Sequence, residues 1–116
     1  FCEPTFPIYR SAARIALGNP TGIPLDSAQR FDLSGLLKAI SPKTKLVYLC
    51  NPNNPTGTFL PADEMADFFD SVAPHVLIIL DEAYVDFMDP NLRPPTLKWI
   101  KDGVPLVSLR TFSKAY

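Results

Sequence analysis

The chain predicts an α/β fold, a mainly parallel sheet with helices on both faces, and three observations carry that prediction. Segments with apolar residues at helical spacing alternate with short apolar runs, an order that implies crossover connections between parallel strands. One of those runs, residues 76–80, is wholly apolar and rich in β-branched side chains, as in a strand buried on both faces. The 13 prolines fall between the periodic segments rather than in one tract, so they act as punctuation.

The elements follow in order. Residues 7–17 carry Ile8, Ala12, Ile15 and Ala16 at helical spacing, with Arg10 and Arg14 on another face, and Gly18-Asn19-Pro20 stops the helix. Residues 22–25 read as a short extended stretch. Asp32 is placed to cap a helix whose apolar positions are Leu33, Leu36, Leu37 and Ile40, and Ser41-Pro42 ends it. Residues 45–50 (KLVYLC) form a strand that breaks at 51–57 (NPNNPTG), where two prolines and a glycine exclude regular structure. A helix runs from after Pro61 to about Val72 and buries Met65, Phe68, Phe69 and Val72. The strand at 76–80 ends at Asp81-Glu82-Ala83-Tyr84, a proline-rich loop follows through 89–95, and a helix at 96–100 precedes a last strand at 106–109.

Composition narrows the function classes. With 116 residues, 47% hydrophobic and 20% charged, the chain can bury one modest core, so one domain or part of one is expected. A formal net charge of −1 without a basic stripe argues against nucleic acid. No apolar run approaches the roughly 20 residues a bilayer demands, and no signal peptide is evident, so a membrane partner is not expected. Cys2 and Cys50 are too few for a disulfide framework and are expected to be reduced. A nucleotide loop is excluded by the lack of GxGxxG or GxxxxGK[ST], and no metal site is expected.

In open parallel sheets, ligands collect beyond the carboxyl ends of the strands. The three strand exits carry Asn54, then Asp81 and Tyr84, then Thr111, Ser113 and Lys114. Together these are an amide, a carboxylate, a phenol, two hydroxyls and an amine, an inventory suited to an aromatic cofactor with a phosphate tail. Each has a plainer reading. Asp81 taken alone can cap the following turn, NPNNPTG can be a stiff turn, and a random lysine is a solvated surface charge. A lysine directly behind a buried strand, however, can lose solvation and be held near other charges, which makes its amine more nucleophilic. His75 enters a strand at the far end, Trp99 reads as packing, and Glu82 points away from Asp81 if the backbone is still extended. Tyr9, Arg10 and Arg14 read as a polar helix surface.

NPNNPTG, then DEAY with Asp81 27 residues after Asn54, then TFSKAY with Lys114 30 residues after Tyr84, resembles the fold-type I pyridoxal-phosphate aminotransferases. The likeness extends to PTFPIY at 4–9 and RFDL at 30–33, and VYLCNPNNPTG with LRTFSKAY looks most like the histidinol-phosphate aminotransferase branch. The resemblance implies part of the large domain of such a transferase, with pyridoxal 5′-phosphate as cofactor. It makes Lys114 the residue that binds the cofactor aldehyde and then moves a proton at the substrate carbon. It implies that Asp81 pairs with the pyridine nitrogen and that Asn54 and Tyr84 donate to the ring 3-oxygen. Thr111 and Ser113 would bind the phosphate, and Phe6 would stack on the ring, with core packing as its alternative. It further implies amino and keto acid substrates, among them histidinol phosphate and 2-oxoglutarate, in a cytoplasmic homodimer. Threonine-phosphate decarboxylase, aromatic amino acid aminotransferase and a noncatalytic α/β binding module are the rivals. The chain is expected to be an internal fragment lacking the small domain and an N-terminal segment.

Overall fold

The computed structural model describes residues 1–115. Its elements are β1 (Cys2–Glu3), α1 (Ile8–Ile15), β2 (Ile23–Pro24), α2 (Leu33–Ala39), β3 (Leu46–Cys50), α3 (Ala62–Ser71), β4 (Leu77–Asp81), α4 (Thr96–Lys101) and β5 (Leu106–Leu109). Short 3-10 turns at Val85–Phe87 and Pro90–Leu92 fill the β4–α4 connection. No helix among the described residues is long and apolar enough to cross a membrane.

Local chemistry explains the boundaries. Leu17 takes a left-handed turn at φ 58°, and the Gly18 N–H closes α1 on the Ala13 carbonyl at 2.8 Å. Asp32 caps α2 as expected, accepting from the Gly35 N–H at 2.9 Å. Pro61 precedes α3, whose first turn carries Asp63 and Glu64 where the helix dipole favours negative charge. The extended stretch expected at 22–25 contains β2, which pairs in parallel with β1. That partner of two residues is too short to show any period in the sequence.

The main sheet has strand order β3-β4-β5, all parallel. Register places Val47 beside Ile78 and Leu49 beside Leu80, with Leu106 and Ser108 next in line. This first face is apolar and closed: Val47, Leu49, Ile78, Leu80 and Leu106 are all buried. Thr96 at the start of α4 reaches it through Glu82, and the Phe69 ring of α3 meets Trp99 of α4 edge-on at 5.1 Å. Met65, Phe68, Phe69 and Val72 are buried as expected for α3.

The opposite face carries Tyr48, Ile79 and Val107, then Cys50, Asp81 and Leu109. There α1 lies on the sheet through Tyr9, whose ring stacks on Tyr48 at 4.9 Å. Helices therefore cover both faces, but unequally, and two expectations change. Leu77 and Ile79 of β4 are only half-buried, so this strand is fully enclosed on one side alone. Within α1 the aliphatic positions do not form the inward face: Ile8 is 48% and Ile15 82% exposed, and Tyr9 is the buried residue. One aromatic ring with a polar tip makes the contact that the Ile/Ala spacing assigned to aliphatic side chains.

Candidate active site

Parallel register brings the three strand exits to one edge, with Cys50, Asp81 and Leu109 abreast. The segments that follow them carry every predicted site residue except Asp81, which closes β4, and Phe6.

Asp81 is the best-defined group. Its Oδ2 accepts the Tyr9 hydroxyl at 2.7 Å and its Oδ1 accepts the Ala83 N–H at 3.0 Å. Two donors on two oxygens fix the carboxylate plane. Tyr9 is 2% exposed, and burial pushes its hydroxyl well above the usual tyrosine range, so it remains a neutral donor. Tyr9 is thus a site residue that sequence reasoning missed. No local signal marked it, because its partner Asp81 lies 72 residues away. Phe6, 43% exposed, meets Tyr9 edge-on at 6.0 Å and so flanks the Tyr9–Asp81 pair. Arg10, by contrast, pairs with Glu3 at 2.7 Å.

The 51–57 loop is held by two buried amides. Asn51 donates to the Leu60 carbonyl at 3.3 Å and accepts the Leu60 N–H at 2.7 Å. Asn53 donates to the Pro4 carbonyl at 3.1 Å and to Thr56 at 2.9 Å, and accepts the Thr5 hydroxyl at 2.7 Å. These bonds anchor the segment bearing Phe6 to the loop. Gly57 sits at φ 71°, a left-handed conformation that favours glycine. Directly after the anchors, Asn54 lines a depression of about 480 Å³ together with Tyr84, Gly57, Phe87 and Met88. Asp81 and Lys114 do not line it, so it flanks the carboxylate rather than containing it.

At the third exit, Ser113 donates its N–H to Thr111 Oγ1 at 3.1 Å, and the two hydroxyls lie 2.8 Å apart in a tight exposed turn. Lys114 follows, exposed rather than desolvated because the turn after β5 stands clear of the sheet, with its Nζ 5.6 Å from the centroid of the Tyr84 ring. That distance allows a cation–π contact, and it joins the amine to the exit of β4. Glu82 turns to the other face, as expected, where it accepts from Thr96. His75 lies at the start of β4 with Nε2 3.3 Å from the Ser41 carbonyl, away from the site. Cys2 and Cys50 are buried and free, and burial raises both thiols above their ordinary range.

The edge therefore offers an oriented carboxylate, a phenol and amide beside one depression, paired hydroxyls and an amine over an aromatic face. A heteroaromatic ring with a protonated nitrogen and an anionic tail matches this donor set. The profile of the family described as "Aminotransferase class I and II" matches residues 1–116. The chain belongs to that family. Among class I and II aminotransferases and their relatives, it is 39% identical over 116 residues to histidinol-phosphate aminotransferase 1 of Idiomarina loihiensis, covering 100% of this chain and 31% of that one. It is 41% identical over 112 residues to the aromatic amino acid aminotransferase of Mycolicibacterium vanbaalenii, covering 97% of this chain and 32% of that one. The crystal structure of histidinol-phosphate aminotransferase from Sinorhizobium meliloti in complex with pyridoxal-5′-phosphate aligns with a TM-score of 0.86 at 34% identity, over 97% of this chain and 30% of that chain. The chain spans about a third of the length of the curated relatives it matches.

Proposed function

We infer that this chain is the cofactor-binding part of a pyridoxal-phosphate-dependent aminotransferase, from its large domain, with Lys114 as the attachment point. The observation that carries the reading is the Asp81 carboxylate, oriented by the Tyr9 hydroxyl and the Ala83 N–H at a strand exit next to the one that presents Lys114. When bound, pyridoxal phosphate supplies a sink for the electrons left at a substrate carbon that loses its proton.

The chain's residues divide the remaining work. Asp81 holds the proton on the ring nitrogen, and a carboxylate fixed by two donors does this without reorienting. Asn54 and Tyr84 donate to the ring 3-oxygen, an acceptor that requires such donors. Thr111 and Ser113 bind the phosphate with hydroxyls already paired in one turn. Phe6, which meets the Tyr9 ring edge-on, would lie against the cofactor ring. The Lys114 amine would hold the cofactor at its aldehyde and, when free, would move the proton at the substrate carbon.

The substrates are an amino acid or amine and a 2-oxo acid, and the favoured pair is histidinol phosphate with 2-oxoglutarate, supported by the histidinol-phosphate relatives in sequence and structure. Transamination of aromatic amino acids is the second reading, supported by the 41% identity to an aromatic enzyme. A homodimer fits the uncovered aliphatic face of α1, and a reducing cytoplasm fits the two free cysteines. The test uses the full-length protein: visible spectra with pyridoxal phosphate before and after borohydride, for wild type and Lys114→Ala. Cofactor fixed in wild type only supports the reading; no cofactor signal in wild type overturns it. Product analysis with each amino donor then separates the two substrates.

A further inference from the structure

Beside Asp81 lies a second carboxylate that the proposed chemistry does not use. Glu82 is fully buried, and its Oε1 accepts the Thr96 hydroxyl at 2.7 Å. Its Oε2 accepts both the Ser108 hydroxyl and the Arg110 Nε–H, the latter at 3.2 Å, while its own N–H donates to the Leu109 carbonyl at 2.8 Å. One side chain thus joins the exit of β4, the start of α4 and the exit of β5. Burying a charge is costly, and an apolar residue of like size would pack there without that cost. What the carboxylate provides instead is a directional link between two strand exits. Arg110 immediately precedes the turn that presents Thr111, Ser113 and Lys114, and Glu82 sits between Asp81 and Tyr84 in sequence. A slip of one residue between β4 and β5 would turn Ser108 to the opposite face, break this link and displace the lysine from Asp81.

We propose that Glu82, through Ser108 and Arg110, is a positioning residue that sets the Lys114 turn against Asp81 and Tyr84. The proposal rests on the reading of Lys114 as the cofactor lysine. Its action is mechanical: the Glu82–Arg110 pair fixes where β5 ends, and the geometry of the attachment site follows.

The experiment uses the full-length protein and compares Glu82→Gln, Arg110→Met, their double variant and Leu36→Ala, a core change in α2 remote from the site. For each, thermal melting of the cofactor-free protein is measured beside the dissociation constant for pyridoxal phosphate and the visible absorption band. Misplacement of the lysine is expected to weaken cofactor binding about tenfold in Glu82→Gln and about threefold in Arg110→Met, and to alter the band. Leu36→Ala is expected to lower the melting temperature and leave affinity and band unchanged. The double variant should be no worse than Glu82→Gln, because both changes cut one link. The proposal is overturned if the Glu82 and Arg110 variants, like Leu36→Ala, move only the melting temperature. Should Glu82→Gln fail to fold, Arg110→Met, at the half-exposed end of the pair, decides the matter by the same two readouts. Absence of any cofactor signal in wild type would instead strike the aminotransferase reading, so the two failures are distinguishable.

Discussion

Asp81 and Glu82 are consecutive carboxylates with opposite surroundings. Asp81 faces α1, is half-buried and takes one hydroxyl and one backbone N–H. Glu82 faces α4, is fully buried and takes three side-chain donors. The alternation of an extended strand separates them, so one step along the chain converts a group available to a ligand into a group enclosed by the fold. The same contrast runs down the sheet. Val47, Leu49, Ile78 and Leu80 form a closed apolar layer, whereas Tyr48, Ile79 and Asp81 meet a single helix through one tyrosine. Burial is concentrated on one face and the proposed ligand chemistry at the edge of the other.

Substitutions can test how complete that division is. The largest effect expected is at Lys114: Lys114→Ala should lower turnover on the order of 10⁴-fold or more, while its exposed position leaves the unfolding free energy within about 0.5 kcal/mol. A large loss of stability in urea titration would break the division. Next, Leu80→Ala on the closed face should cost about 3–4 kcal/mol and Ile79→Ala on the open face about 1–2 kcal/mol. Equal costs by chemical denaturation would show that the faces contribute alike. Tyr9→Phe keeps the stack on Tyr48 and removes only the hydroxyl. It should cost about 1 kcal/mol of stability and weaken pyridoxal phosphate binding about fivefold; unchanged affinity by titration would make the hydroxyl purely structural.

The smallest effect concerns Cys2, whose thiol burial pushes up from the ordinary 9.0 to about 11. Because the folded state keeps a proton that the unfolded chain releases, this contribution is full below pH about 9 and is lost as pH rises through about 11. Stability should therefore decline across that window, and Cys2 should resist alkylation at pH 8 until the protein unfolds. Rapid labelling of the native state would contradict the burial.

Much of this arrangement was legible in the sequence because its signals are local. NPNNPTG, DEAY and TFSK each occupy one strand exit, and parallel register then brings the exits together without further information. The capping role of Asp32 and the inward faces of α2 and α3 follow from spacing within a single helix. Tyr9 was not legible, because its partner lies 72 residues away and the Ile8, Ala12, Ile15 period around it points elsewhere. A helical period identifies an apolar face; it does not say what covers that face. β1 escaped for a related reason, since two residues become a strand only through a partner some 20 positions on.

The separations along the chain also imply an order in time. The bonds of Glu82 close loops of 14, 26 and 28 residues, whereas the Tyr9 hydroxyl reaches Asp81 across 72. Closure entropy grows with loop length, and long-range contacts form late. During folding, the β4–β5 exits are expected to lock while Asp81 still lacks its hydroxyl donor, and α1 then docks. A refolding chain would pass through a species with its framework in place and its carboxylate not yet joined to Tyr9, so the ability to bind ligand would lag behind the recovery of secondary structure.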